Sequence, residues 1–102
     1  MQITTQVALE QALRADAFLL FKHSFRCSVS TRAFKEYEAF VKDDAIATGW
    51  IDVVGDRGLS LSVADETGIE HRSPQALLIK KGEVAWHASH FDITCESLRS
   101  AL

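Results

Sequence analysis

The run Ala17-Phe18-Leu19-Leu20-Phe21, closed by Lys22, restricts the architecture more than any other part of the chain. It has the length of a strand, and a strand apolar at every position is buried on both faces. A sheet covered on both faces needs helices above and below it, which points to an α/β layered domain. A polar loop, His23 to Arg26, follows the run. Cys27-Ser28-Val29-Ser30 then opens a helical stretch to about Lys42, with Val29, Ala33, Tyr37, Phe40 and Val41 on one stripe.

The remaining segments alternate in type. Thr4 or Thr5 caps a first helix reaching roughly Ala15, with Val7, Ala8, Ala12 and Leu13 at helical spacing. Gly49 to Val54 reads as a second strand. Because a helix joins it to the first, the two strands are expected to be parallel. Leu59 to Thr67 reads as a further helix, stopped by Gly68 with Ile69 packed behind it. Gln75–Lys80, Lys81-Gly82 and Glu83–Ala88 read as a hairpin. Asp92 is expected to cap a helix that runs to the C-terminus. This order resembles the thioredoxin-like pattern: a mixed four-stranded sheet flanked by helices, with an additional N-terminal helix, in one domain spanning residues 1–102.

Composition narrows the function classes. Hydrophobic residues make up 47% of the chain and charged residues 25%, enough for a packed core. The formal charge of −3 disfavours a nucleic-acid-binding face. The longest apolar run falls far short of the ~20 residues a membrane span needs, so no membrane partner is expected. No basic segment followed by an apolar one opens the chain, and two cysteines are too few for a disulfide scaffold. A cytoplasmic address is the expectation. Trp50, Trp86, Phe21, Phe34 and Tyr37 read as packing residues rather than as a base-stacking platform.

Cys27 is the candidate nucleophile. It stands where a strand hands over to a helix, and backbone N–H groups and the dipole at a helix N-terminus favour a thiolate, the reactive form. Arg26 adds a neighbouring positive charge. Ser30 occupies the position of the second cysteine of a Cys-x-x-Cys pair, so Cys27 cannot close that disulfide; an outside thiol or a distant cysteine must discharge it. Cys95 lies with Phe91, Leu98 and Leu102 at helical spacing, which implies a buried, inert thiol. His23, His71, His87 and His90 fit no compact zinc template, so no metal is expected. His87 and His90 suit solvated or capping roles. His23 and His71 are candidates to lie near Cys27, where a protonated imidazole would favour the thiolate.

Phe21-Lys22-His23-Ser24, Cys27 with Ser30, Ser73-Pro74-Gln75-Ala76 and Gly82-Glu83-Val84-Ala85-Trp86-His87-Ala88-Ser89-His90 together resemble the YtxJ-like family, the monothiol bacilliredoxins. Ser28 stands where that family usually has proline, and serine restores an N–H at the first helical position. The resemblance implies a thioredoxin-fold enzyme that removes bacillithiol from mixed disulfides on other proteins. It further implies that Pro74 is cis and faces Cys27, and that the backbone of Ser73 pairs with the bound thiol compound. Catalysis then falls to Cys27, supported by Arg26, Ser28, Ser30, Ser73, Pro74 and His23. Lys22, Arg26 and the N–H groups of Ser28 to Ser30 are candidates to bind carboxylates of the small thiol. No permanently bound cofactor is expected; the low-molecular-weight thiol is a co-substrate, and S-thiolated proteins are the partners. Two other readings compete: an iron–sulfur cluster module of the monothiol-glutaredoxin kind, which lacks its Cys-Gly-Phe-Ser signature here, and a redox-inactive adaptor.

Overall fold

The computed structural model describes residues 1–43 and 46–102. The elements in chain order are α1 (Gln6–Leu13), β1 (Ala17–His23), α2 (Ser28–Val41), β2 (Ala47–Asp52), α3 (Arg57–Thr67), β3 (Gln75–Lys80), β4 (Glu83–Ser89) and α4 (Cys95–Ala101), with a single 3₁₀ turn, His90–Asp92, before α4. The sheet order is β2-β1-β3-β4. β1 and β2 are parallel, with Leu20 opposite Gly49, whereas β3 is antiparallel to both β1 and β4. The free edge of β2 is partly covered by the N-terminal segment, where Ile3 N–H donates to the Trp50 carbonyl at 2.7 Å.

The period of two along β1 sorts its side chains between two cores. Phe18 and Leu20 pack with Leu77, Ile79 and residues of α1 and α3, including Leu9 and Val63. Leu19 and Phe21 pack on the other face with Ala33, Tyr37 and Phe40 of α2 and Leu98 of α4. Burial of each such side chain contributes about 1.5–3 kcal/mol. The same alternation sends the next two residues to opposite faces: Lys22 to the α1/α3 side and His23 to the α2 side.

Several boundaries differ from the sequence reading. α1 begins after Thr5, whose hydroxyl accepts from Ala8 N–H, and ends at Leu13. Val7 is 65% exposed, and the buried face of α1 is Leu9, Ala12 and Leu13. β1 extends through His23, so His23 is a buried strand residue and not part of a loop. In α2 the buried stripe starts at Ser30, followed by Ala33, Tyr37 and Phe40, while Val29 and Val41 are half-buried. β2 begins two residues before Gly49 and ends at Asp52. Asp92 does not cap the last helix. Thr94 does, accepting from Ser97 N–H while the Ser97 hydroxyl accepts from Thr94 N–H, a reciprocal pair that satisfies two donors at once. Gly68 closes α3 in the left-handed region at φ 75°, which glycine adopts without a Cβ clash.

Gly49 is required for its size. A Cβ there would lie 2.9 Å from Phe18 Cζ and 3.0 Å from Ile3 Cδ1, both in the core. Gly49→Ala is expected to lower stability by about 1–3 kcal/mol through overpacking, read as a shift in the denaturant midpoint at unchanged slope.

Candidate active site

One edge of the sheet gathers the chemistry. There β1 ends at His23 opposite Asp52, the last residue of β2, while β3 begins at Gln75 opposite Lys22 and β4 ends at Ser89 opposite Gln75. Pro74 therefore stands at this edge, one residue before β3, and Cys27 reaches it four residues after β1. The Ser73–Pro74 peptide is cis. Pro74 is buried, and its carbonyl accepts from His90 N–H at 3.1 Å, tying the end of β4 to the proline loop.

Cys27 is the N-cap of α2. Its backbone is extended at φ −114° and ψ 125°, and its carbonyl accepts from Thr31 N–H at 3.0 Å. Its sulfur makes no capping hydrogen bond, so the first amides of α2 are not consumed by the side chain that caps it. The residue is partly accessible, between exposed Arg26 and exposed Ser28, with the ring of Phe25 also turned to solvent.

What fixes Cys27 is Ser30. It is fully buried, and its Oγ lies 2.8 Å from Ser24 N–H, which donates to it, and 2.7 Å from His23 Nδ1. With the oxygen accepting from Ser24, the hydroxyl proton is available to Nδ1 of a neutral ring protonated at Nε2. One side chain thus binds the first turn of α2 to the end of β1 and closes the intervening loop. The imidazole of His23 is stacked on Phe34 at 4.3 Å and met edge-on by Phe25 at 4.2 Å.

Burial lowers the pKa of His23, although Asp52 and Glu38 oppose the shift. His71 is lowered too, first by burial and then by the positive charges of Lys22, Arg57 and Arg72. Neither ring therefore supplies the protonated imidazole expected beside the thiol. Lys22 departs further from expectation. It is fully buried, with Nζ 3.1 Å from His71 Nδ1, so it cannot meet the carboxylate of a ligand. Removal from water pushes its pKa down to about 8. Sequence reasoning missed this pair; the available signal was a lysine that continues a wholly apolar strand.

Cys95 is also placed differently. It is the first residue of α4, half-buried, its N–H donating to Glu36 Oε1 at 3.0 Å. Phe91, assigned to the same apolar stripe, is 64% exposed and lies under Arg32. Both cysteines are free thiols. The exposed His87 and His90 lie on β4 and at the 3₁₀ turn. A concavity of about 690 Å³ lies at the opposite pole, between α1, the end of α3 and the β3–β4 turn. It holds no cysteine or histidine, so the thiol chemistry is not there.

Cys27, a free thiol at the N-terminus of α2 with Ser30 in place of a second cysteine, stands at the end of the sheet where β3 begins after Pro74, the arrangement of a thiol–disulfide oxidoreductase of thioredoxin fold. A solved structure provisionally described as an oxidoreductase with a thioredoxin fold is 28% identical, with a TM-score of 0.92 over 99% of this chain and 91% of its own. A thioredoxin variant from Halobacterium salinarum matches at 17% identity and TM-score 0.77, covering 98% of this chain and 84% of its own. Thioredoxin from Trypanosoma brucei brucei matches at 9% identity and TM-score 0.78, covering 99% and 85%; both of these show the fold alone. Residues 1–98 match the family model for the monothiol bacilliredoxin BrxC, and the chain belongs to that family.

Two outcomes test the site as built. Ser30→Ala leaves Ser24 N–H and His23 Nδ1 without their shared partner and is expected to cost about 1–3 kcal/mol in denaturant unfolding. For Lys22 the sign follows from linkage: its folded pKa, about 8, lies below the unfolded value, 10.5, so the unfolded state binds more protons between them. Stability should therefore rise as pH increases from about 8 to 10.5, as the cost of the buried cation is relieved. The expected gain is on the order of 1–2 kcal/mol, and Lys22→Met should abolish that rise.

Proposed function

We propose that this oxidoreductase removes a low-molecular-weight thiol from protein mixed disulfides, with bacillithiol as the thiol that family membership favours. The Cys27 thiolate attacks the small-thiol sulfur of a client disulfide. The S–S bond to the client breaks, the client sulfur leaves as a thiolate and takes a proton from water, and Cys27 becomes disulfide-linked to the small thiol. A second small-thiol thiolate then attacks the small-thiol sulfur of that adduct. It forms the symmetric small-molecule disulfide and returns Cys27 as a thiolate. Each exchange forms one S–S bond and breaks one; the net reaction consumes the mixed disulfide and one free small thiolate and yields the client thiolate and the symmetric disulfide, whose halves are the incoming thiol and the one taken from the client.

The observation that carries this reading is the pairing of an accessible Cys27 with a buried, hydrogen-bonded Ser30 where a resolving cysteine would otherwise stand. An arrangement of this kind accepts a thiol and waits for an external one. Arg26 and Ser28 are exposed on either side of Cys27 and, with the amides that open α2, suit the anionic groups of a small thiol. The backbone of Ser73, before the cis proline, suits pairing with the extended part of the compound. Among the described residues no helix is long and apolar enough to cross a membrane; a cytoplasmic setting, where free thiols persist, fits this chemistry.

The test uses a client protein carrying bacillithiol, glutathione or coenzyme A as a mixed disulfide, with the same free thiol as reductant. Wild type and Cys95→Ala should release the small thiol at comparable rates, and Cys27→Ala should fall to the uncatalysed rate. Release by Cys27→Ala equal to wild type would overturn the proposal.

A further inference from the structure

We propose that Lys22 and His71 form a positioning and specificity pair, in which the buried ammonium fixes the ring so that its Nε2–H faces outward to receive a carboxylate of the bound thiol compound. The inference deepens the function proposed above and rests on it.

The geometry starts from a buried cation with few partners. Lys22 Nζ donates to His71 Nδ1 at 3.1 Å, so Nδ1 is the acceptor and the ring proton belongs on Nε2. Nε2 has no hydrogen-bond partner among the described residues and is not among the atoms shut off from solvent. Gln75 holds the other side. It lies opposite Lys22 in the β1–β3 register, is 1% exposed, and donates from Nε2 to the Glu70 carbonyl at 3.0 Å. Its Oε1 is a buried acceptor without a partner, on the same sheet face as the ammonium. Lys22 and Gln75 together grip the segment from Glu70 to His71, which leads directly into Ser73 and the cis proline. The half-buried Ser73 keeps an unpartnered Oγ in that segment.

The charges around the ring set the sign of its ligand. Lys22 faces His71 from β1, Arg57 from the first position of α3, and Arg72 from its own loop. The one acid beside it in that loop, Glu70, is engaged by Arg72 at 2.9 Å. Burial first, and then these cations, disfavour the protonated ring, so the outward donor is the N–H of an imidazole in a positive field. That combination selects a carboxylate over a neutral or cationic group. A buried lysine without a ligand role is otherwise costly, and a wholly apolar residue would fill its place in β1.

Two measurements decide it. In the wild-type protein at pH 7, ¹⁵N NMR of His71 should show a bare Nδ1 and a protonated Nε2; a ring protonated at Nδ1 would overturn the proposal without any variant. In the release assay, kcat/KM for a glutathione mixed disulfide is divided by that for a 2-mercaptoethanol mixed disulfide, which has no carboxylate. Lys22→Met and His71→Ala should each lower this ratio about tenfold, through KM for the glutathione substrate. A ratio equal to wild type in both variants would overturn the inference. Because Cys27→Ala is scored by release alone, its outcome tests the reaction and leaves the ratio to test this pair.

Discussion

The hydroxyl of Ser30 is the contact on which the active edge depends. A strand and the helix that follows it can meet at many angles, and a four-residue loop does not select among them. Ser30 removes that freedom from inside the core, because its oxygen receives the amide of Ser24 and pairs with the ring of His23. The position of Cys27 is then set by two residues tied to each other across the loop, one at the end of β1 and one in the first turn of α2. A buried polar knot of this kind is costly unless fully satisfied, and here each member has its partner. The residue that makes the protein monothiol is the one that holds the thiol in place.

The same edge is built asymmetrically about the sheet. On the α2 face β1 contributes His23, stacked on Phe34 and met edge-on by Phe25, which braces the loop that carries Cys27. On the α3 face it contributes a lysine, which braces the proline loop through His71. Adjacent residues of one strand therefore hold the Cys27 loop and the Pro74 loop. Burial disfavours the protonated form of both His23 and His71.

Much of this was legible in the sequence, and for identifiable reasons. The apolar run of β1 required a sheet covered on both sides, and the helical stripe after Cys27 required a crossover; together they gave the parallel β1–β2 pair. The hairpin followed from Lys81-Gly82, both of which adopt positive φ. What misled was local pattern taken without tertiary context. The spacing of Phe91, Cys95, Leu98 and Leu102 matched one helix, but the 3₁₀ turn at His90–Asp92 interrupts it and turns Phe91 outward. Val29 matched the apolar stripe of α2 better than Ser30 by hydropathy, yet Ser30 is the buried residue because its hydroxyl finds partners in His23, the last residue of β1, and in the Ser24 amide that follows it. Lys22 was read as a ligand-binding cation because lysine is rarely buried. Its partner, His71, lies 49 residues away and no local pattern connects them.

The most direct measurement is intact mass spectrometry after one equivalent of a client mixed disulfide is mixed with the reduced protein, with no free small thiol present. One reduced client and a persistent adduct of the small thiol, mapped to Cys27, that clears only when more small thiol is added, are expected. An adduct that collapses on its own into a Cys27–Cys95 disulfide, or one that forms on Cys95 while Cys27 stays reduced, would contradict it.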